Sequence, residues 1–389
     1  MHYNFDEEIG RIHTNSVKYE NSRMEEPDLP EDFIPLWIAD MDFACPPEVI
    51  SAMHKRLDDR ILGYSDIIDP EYVQVLKLWM KKRFGWEIRK DDLAVSSGVV
   101  PAISNLIQIL SEKGDRVMIM TPSYGPFYTS IVNNERIPVC LPLIKEGGIY
   151  EIDYISLEQK IKEESIKILI LCSPHNPTGR VWREEELRNI AEICKRYDVS
   201  VICDEIHQDL LRKGRVHIPL AKLYPDADWI YTCTAPSKTF NMAGNHLANI
   251  FIPNKKVKEI WEQKYYYFPN ALSISATQAA YGEGEEWVEQ LNTYLDGNFH
   301  YMKKFFGTYL PQIEFEIPEG TYLAWFDMRG MGLDKEEIKR RFIVEAGLHI
   351  ENGDMFVANG EYNIRMNMAC PMRTIERALD RMYKVFISH

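Results

Sequence analysis

The stretch Ala235-Pro-Ser-Lys-Thr-Phe-Asn-Met-Ala-Gly244 places a lysine, Lys238, shortly after an apolar run at residues 229–234. That run is too short for a helix and predicts a buried strand. A lysine at the exit of a buried strand loses part of its hydration, and desolvation favours the neutral amine. Lys238 is therefore a candidate nucleophile of the kind that forms a Schiff base, although a lysine in a surface loop fits this stretch alone equally well.

Seven apolar runs of strand length, including the one before Lys238, are separated by turns and by stretches with helical spacing. They cover residues 93–96, 116–120, 136–141, 167–172, 199–203, 229–234 and 247–252. Continuous apolar strands alternating with helices indicate an α/β fold whose mostly parallel seven-stranded sheet is flanked by helices. Ligands of such sheets bind beyond the carboxyl ends of the strands. The candidate site residues at or just after those ends are Ser97, Gly98, Tyr124, Asn176, Asp204 and Lys238.

The pattern changes beyond residue 278. A long amphipathic helix is predicted over 287–309, then short strands near 313–317 and 322–327, and a final helix over 372–386. A length of 389 residues suits about two domains. We expect an extended N-terminal arm over 1–45 packed on the small domain, a large domain over 46–284, and a smaller α/β C-terminal domain over 285–389.

Composition excludes several classes of protein. A formal net charge of −14 leaves no basic excess for a nucleic-acid partner, and no apolar run approaches the ~20 residues of a membrane span. The acidic N-terminus lacks the apolar core of a signal peptide. The seven cysteines form no CxxC pairs, which favours buried reduced thiols over disulfides or a metal site. We expect a cytoplasmic protein that binds no metal.

Two loops after predicted strands carry candidate ligand contacts. Residues 97–103 (SGVVPAI) open a helix. The free backbone N–H groups at its N-terminus, with Gly98 permitting close approach, suit a phosphate, although an ordinary strand-to-helix turn has the same pattern. Residues 121–127 (TPSYGPF) form a rigid loop that can hold the Tyr124 ring flat against another ring. Taken alone, Tyr124 fits a packing role better.

The stretch 172–180 (CSPHNPTGR) is more specific. It places many polar and turn-forming residues directly after a buried strand, where they would pack poorly unless they bound a ligand. Its Asn176 can donate a hydrogen bond to a phenolate-like oxygen; the alternative is a long capped turn before the next helix. In 202–207 (ICDEIH), Asp204 ends a buried strand, where an unpaired carboxylate is costly, so a cationic partner is expected. A protonated pyridine nitrogen or a structural salt bridge would serve.

The order and spacing of these motifs resemble the fold-type I pyridoxal phosphate enzymes, the aspartate-aminotransferase superfamily, over nearly the whole chain. The motifs are SGVV, PSYGPF, SPHNPTGR, DEIH, APSKTFNMAG and NIRMN. Three details are more similar to the MalY/PatB-type branch of cysteine–sulfur β-lyases than to ordinary aminotransferases. They are residues 37–43 (WIADMDF), His175 before Asn-Pro-Thr-Gly-Arg, and His207 where many relatives have a tyrosine.

The resemblance implies a role for each candidate residue. Lys238 would be the Schiff-base lysine and would shuttle protons, and Asp204 would keep the pyridine nitrogen of pyridoxal 5'-phosphate protonated. The other cofactor contacts implied are Gly98, Val99, Val100, Tyr124, Asn176, His207 and Ser237, with Tyr64 reaching the phosphate from the second subunit of a homodimer. Tyr64 joins Lys238 and Asp204 as an implied catalytic residue.

Ala39, Asn176 and Arg365 would contact the substrate. Arg365 lies in Asn363-Ile-Arg-Met-Asn-Met368, and the resemblance implies that its guanidinium binds the substrate α-carboxylate through two N–H groups. Without the resemblance, Arg365 would be interpreted as a solvated arginine. One position departs from the family pattern. Eight residues after the lysine, many aminotransferases have a phosphate-binding arginine, whereas this chain has His246.

The activity implied is β-elimination from an L-amino acid with sulfur on its β-carbon, such as cystathionine, giving a thiol, pyruvate and ammonia. An aminotransferase acting on an L-amino acid is the alternative enzyme. A binding or regulatory protein that kept only the scaffold is a further alternative, although Lys238, Asp204 and Asn176 are all present. A nicotinamide-binding protein is excluded because no GxGxxG follows a predicted strand.

Overall fold

The computed structural model describes residues 2–67 and 69–387. Its strands are β1 Ile34–Pro35, β2 Leu93–Ser96, β3 Arg116–Thr121, β4 Ile137–Pro142, β5 Ile144–Glu146, β6 Ile149–Glu151, β7 Ile166–Cys172, β8 Ser200–Asp204, β9 Ile230–Thr234, β10 Ala248–Phe251, β11 Glu314–Phe315, β12 Leu323–Asp327, β13 Leu348–His349, β14 Glu351–Asn352 and β15 Asn363–Asn367. Its α-helices are α1 Val17–Glu20, α2 Ser22–Glu25, α3 Pro47–Asp58, α4 Pro70–Phe84, α5 Val99–Leu110, α6 Gly125–Asn133, α7 Tyr154–Glu164, α8 Glu184–Arg196, α9 Leu220–Leu223, α10 Pro236–Thr239, α11 Lys255–Lys264, α12 Ala271–Glu283, α13 Glu285–Tyr309, α14 Lys335–Arg340 and α15 Met372–Phe386. Short 3-10 turns lie at Lys90–Asp92, Ala243–Asn245, Arg329–Met331 and Gly353–Met355, with a π-helical turn at Arg341–Glu345.

The main sheet of the described chain has seven strands in the order β2-β10-β9-β8-β7-β3-β4. β10 is antiparallel to both of its neighbours, and the remaining strands run parallel to one another. This confirms the mostly parallel sheet predicted from the sequence. Each of the seven predicted strands lies within one residue of its observed bounds.

Strand β7 shows why the apolar runs are continuous. Its side chains point alternately to two different cores: Ile168 and Ile170 belong to one apolar cluster, and Leu169 and Leu171 to another. Because helices cover both faces of the sheet, β7 is apolar and buried on both faces from Ile168 to Cys172. The polar residues of the following loop begin after Cys172, at the carboxyl edge.

A second sheet, with strand order β11-β12-β15-β14, is antiparallel throughout. Helices α13 and α15 supply apolar side chains to the core on it, among them Phe306 and Leu379. Within the N-terminal arm predicted as extended, α1 and α2 each form a single helical turn. Helices of four residues are too short to show periodicity in a sequence.

The N-terminal segment contacts the C-terminal part of the chain. Strand β1 pairs in parallel with β13, and the backbone N–H of Leu36 donates to the carbonyl of His349 at 2.7 Å. Glu26 and Asp32 form ion pairs with Lys339 and Arg381. The carbonyls of Ile38 and Ala39 accept hydrogen bonds from Asn367 on β15 and from Lys238 after β9, which places this segment between the second sheet and the carboxyl edge of the main sheet. No helix in the described residues has the length and apolar character of a bilayer span.

Candidate active site

The carboxyl edge of the main sheet brings the predicted residues together. Gly98 follows β2, Lys238 follows β9, Asp204 ends β8, Asn176 follows β7 and Tyr124 follows β3. Strands β9, β8 and β7 are adjacent, so the lysine, the carboxylate and the amide leave neighbouring positions. From the second sheet, β15 contributes Arg365 to the same place, where its guanidinium donates to Asn176 Oδ1 at 3.2 Å.

Lys238 lies on α10, one turn after β9, and is half-buried. Its Nζ donates a hydrogen bond of 2.6 Å to the carbonyl oxygen of Ala39. Burial lowers the pKa of Lys238 to about 8, with a further contribution from the Arg365 charge, against the opposing influence of Asp40 and Asp204. A substantial neutral fraction is therefore available near pH 8, as a nucleophilic or proton-accepting amine requires.

Asp204 is buried, with 4% of its surface exposed. Its Oδ1 accepts a hydrogen bond from the backbone N–H of Ile206 at 3.0 Å. Burial raises the pKa of Asp204 to about 7, and the charge of Glu205 raises it further, while the Ile206 N–H and the Lys238 charge act in the opposite direction. Within the described residues no cationic side chain lies at ion-pair distance from Asp204, so the structural salt bridge left open by the sequence is not formed. A buried carboxylate without a cation calls for one from a ligand.

Arg365 is buried, with 2% of its surface exposed, so its interpretation as a solvated arginine is wrong. The guanidinium donates to Asn176 Oδ1, to the carbonyl of Trp37 at 3.1 Å and to the Glu351 carboxylate, with its Cζ 4.9 Å from the centre of the Phe356 ring. Its Nε is buried and has no acceptor among the described residues. This set holds the arginine facing Asn176, with donor capacity left for an anion.

Two buried histidines flank the site. His207 packs edge-on against Tyr322 with ring centres 5.9 Å apart, and its Nδ1 has no hydrogen-bond partner within residues 2–67 and 69–387. Burial, reinforced by the Lys238 and Arg365 charges, lowers the pKa of His207 to about 3. His175 pairs with Thr178 Oγ1 at 2.9 Å, and burial lowers its pKa to about 3 as well. Both rings are neutral at physiological pH.

Tyr124 is half-buried at the start of α6 and packs edge-on against Phe127. Burial raises the pKa of its hydroxyl, and the charges of Arg365, Glu351 and Asp204 also act on it. Tyr124 follows β3 at the same edge of the sheet as Asn176 after β7 and Asp204 at the end of β8.

The predicted phosphate cradle is the N-terminus of α5, a twelve-residue helix that begins at Val99 after Gly98, with no side-chain cap and no acidic residue in its first turn. Its first N–H groups have no acceptors within the helix, and they lie at the positive end of the helix dipole. Val99 shares one apolar cluster with Ala235, and Val100 and Ser237 are half-buried. His246 is exposed, in a left-handed backbone conformation with φ of 50°.

Several contacts at the site were not predicted. The carbonyl of Ala39 also accepts from Tyr322 Oη at 2.9 Å, and Asn367 Nδ2 donates to the carbonyls of Ile38 and Asp40. Asn241 Nδ2 donates to the carbonyls of Met41 and Phe43. Asn241, the last residue of the APSKTFN stretch, thus holds the WIADMDF segment. Its partners are backbone groups of Met41 and Phe43, so no side chain in that segment marks the contact in the sequence.

Tyr64 is not in this cluster within one chain. It is 92% exposed and contacts the Phe268 ring, with centroids 5.2 Å apart.

A family model described as "aminotransferase class I and II" matches residues 31–382. The chain belongs to this family. The cystathionine beta-lyase PatB of Bacillus subtilis (strain 168) is 36% identical over 384 residues, which cover 97% of this chain and 98% of PatB. The crystal structure of a PLP-bound C-S lyase from Staphylococcus hominis has a TM-score of 0.95 and 41% identity, covering 100% of this chain and 99% of that one. Cystalysin from Treponema denticola, whose structure contains a pyridoxal 5'-phosphate cofactor, has a TM-score of 0.95 and 35% identity, covering 99% of both chains.

The site of this family member fits pyridoxal phosphate by its own chemistry. The ring nitrogen of the cofactor is a cation when protonated, and Asp204 is a buried carboxylate without a cationic partner in the part of the chain that the structure describes. The aldehyde requires an amine with a lowered pKa, which Lys238 supplies. The phosphate requires free N–H donors, which the start of α5 supplies. The three matches concern three different functional groups of the cofactor.

Proposed function

We infer that this protein is a pyridoxal-phosphate-dependent carbon–sulfur β-lyase. It cleaves L-cystathionine or a related cysteine S-conjugate, with addition of water, to a thiol, pyruvate and ammonia. The observation that carries this conclusion is the placement of half-buried Lys238 and buried, cation-free Asp204 at adjacent strand ends, close enough that each shifts the pKa of the other. The similarity to PatB and to the S. hominis C-S lyase favours lysis of the C–S bond over amino transfer.

The residues proposed to hold the cofactor surround its three functional parts. Lys238 would hold the aldehyde carbon and Asp204 the ring nitrogen. Gly98, Val99, Val100 and Ser237 would hold the phosphate, Tyr124 would stack on the ring, and Asn176 would bond the ring oxygen, with His207 nearby. When bound, the cofactor supplies an electron sink for the carbanion at the substrate α-carbon.

The chain itself binds the substrate and moves the proton. Arg365, fixed by Asn176 and the Trp37 carbonyl, orients the α-carboxylate. Lys238 Nζ accepts the α-proton, which its pKa of about 8 permits near neutral pH. The ionised Asp204 stabilises positive charge in a site with little water, where electrostatic interactions are strong. The carbonyl of Ala39 orients the Lys238 amine by accepting its hydrogen bond.

Product analysis tests this function against the aminotransferase alternative. Purified protein loaded with pyridoxal phosphate is incubated with L-cystathionine, and pyruvate is followed with lactate dehydrogenase. The lyase forms pyruvate without an added keto acid. Consumption of the amino acid only when a keto acid is present, with no thiol released, would contradict it.

We also propose that the active unit is a homodimer in which Tyr64 reaches the phosphate site of the partner. Tyr64 lies in a segment whose Ile61 and Leu62 are exposed as well, and exposed apolar clusters of this kind mark protein interfaces. A cavity of about 920 Å³ adjoins this segment, with Ile67, Tyr266 and Phe268 in its lining.

We further propose a cytoplasmic location and a division of the chain into arm, large domain and small domain with boundaries after residues 45 and 284. The location is supported by seven free thiols and the division by the separate second sheet.

A further inference from the structure

The pairing of Arg365 with Glu351 has a consequence for substrate binding. The two residues lie directly opposite each other in the antiparallel pair of β14 and β15, and the Glu351 carboxylate contacts Arg365 Nη2. Glu351 is half-buried, and its charge acts on the Tyr124 hydroxyl, as do those of Arg365 and Asp204. Since Arg365 also donates to Asn176 Oδ1 at 3.2 Å, Glu351 lies one contact away from the predicted cofactor and substrate residues.

The guanidinium has two edges that can bind a carboxylate through two parallel N–H groups, and Nη2 belongs to both edges. The two N–H groups of Nη2 are taken by the Trp37 carbonyl and by Glu351. An incoming α-carboxylate thus cannot form a bidentate ion pair with the Arg365 guanidinium until one of these two acceptors leaves Nη2.

The Trp37 carbonyl is the less mobile acceptor. It belongs to the segment held by Asn367 through the carbonyls of Ile38 and Asp40, and the Trp37 indole donates to the carbonyl of Lys18 at 3.0 Å. Glu351, in contrast, is held at Arg365 by a side chain with three rotatable bonds, and 21% of that side chain is exposed.

We propose that Glu351 is the resident counter-ion of Arg365 and that the substrate α-carboxylate displaces it on binding, so that Glu351 sets the affinity for the amino acid. This inference rests on the proposed role of Arg365 as the carboxylate site. Removing the Glu351 charge leaves a buried guanidinium without its anion, which strengthens its interaction with the substrate carboxylate.

Protonation of Glu351 has the same effect as its removal. Burial raises the pKa of Glu351 and the Glu25 charge raises it further, whereas Arg365 acts against both. The charged or titratable groups that face it are Arg365 from β15, Glu25 from α2 and Tyr124 from the start of α6. As pH falls through the pKa of Glu351, Arg365 loses its counter-ion and binding of the substrate carboxylate tightens.

The test measures the inhibition constant of L-alanine, which has an α-carboxylate but no leaving group on its β-carbon, against cystathionine cleavage by the holoenzyme. For Glu351→Gln we expect this constant and the KM for cystathionine to fall roughly tenfold at pH 8, with a smaller change in kcat. The difference from wild type shrinks as pH is lowered, because protonation then neutralises Glu351 in the wild type. Glu351→Asp, with a shorter side chain, shifts the constants in the same direction by less.

Glu25→Gln is the matched control, because it removes one negative charge from the surroundings of Glu351 but does not touch Arg365; it should change the constants by less than about twofold. If Arg365→Lys weakens L-alanine binding while Glu351→Gln and Glu351→Asp leave it unchanged or weaker, the counter-ion role is wrong and the proposed function stands. If Arg365→Lys leaves L-alanine binding unchanged, Arg365 is not the carboxylate site and the inference fails with that assignment.

Discussion

Lys238 Nζ donates a hydrogen bond of 2.6 Å to the carbonyl oxygen of Ala39, which lies 199 residues earlier in the chain. The same oxygen accepts from Tyr322 Oη, so residues from three distant parts of the sequence meet at one acceptor. The N-terminal segment therefore completes a site whose other elements lie on the main sheet, and its anchoring affects both stability and activity.

The lowered pKa of Lys238 predicts how fast the cofactor-free protein takes up pyridoxal phosphate. Only the neutral amine reacts with an aldehyde, so the second-order rate should rise with pH through about 8 and level off above it. Stopped-flow absorbance at a series of pH values measures this rate. A profile that rises only above pH 10, as for an exposed lysine, would show that the amine is not desolvated.

Asp204→Asn should have opposite effects on stability and on catalysis. The folded-state pKa of about 7 lies above the unfolded value near 3.9, so the proton is bound more tightly in the folded state. The contribution of Asp204 to the stability of the cofactor-free protein is therefore most favourable below pH 4. It becomes less favourable as pH rises towards 7. At pH 8 the substitution removes this penalty, at most about 4 kcal/mol, and should raise Tm by a few degrees.

The same variant should lose roughly 100-fold or more in kcat for cystathionine, because its neutral amide does not stabilise a cation at the ring nitrogen. Differential scanning fluorimetry and the pyruvate assay measure the two effects, and Asp226→Asn is the exposed control. A variant that is both less stable without cofactor and fully active would contradict the account of Asp204.

Mixing two inactive variants tests whether Tyr64 acts across a dimer interface. A dimer of one Lys238→Ala chain and one Tyr64→Ala chain has one doubly defective site and one intact site if Tyr64 acts on the partner. Equal amounts that exchange subunits should recover about a quarter of the wild-type sites. If Tyr64 serves its own chain, no site is intact and the mixture stays as inactive as its parts.

The buried ion pair between Lys18 and Asp42, with Nζ and Oδ2 2.7 Å apart, should be important for holding the N-terminal segment. Lys18 is fully buried and also donates to the carbonyl of Asp40, next to Ala39. Lys18→Met leaves the buried Asp42 carboxylate with Arg11 and the Tyr19 hydroxyl, and we expect a loss of about 2–3 kcal/mol in the free energy of unfolding. Urea denaturation measures it, and Arg56→Met, which breaks the more exposed pair with Asp59, should cost less than about 1 kcal/mol.

The main sheet was predictable because its strands are buried on both faces and therefore have continuous apolar sequences, as in β7. The candidate residues at the carboxyl edge followed from the same rule. The pair of Glu351 and Arg365 was not predictable, because it depends on the register of β14 against β15, and a two-residue strand has no readable pattern. Arg365 was misjudged without the resemblance, since alternation in β15 does not show that both of its faces are covered.

The most direct test of the central claim measures pyruvate and thiol together when the holoenzyme is given L-cystathionine without a keto acid. The account predicts that both appear in equal amounts over many turnovers, and that Lys238→Ala abolishes both while the exposed-surface variant Lys264→Ala keeps the wild-type rate. Turnover that needs a keto acid, or pyruvate formed at an undiminished rate by Lys238→Ala, would contradict it.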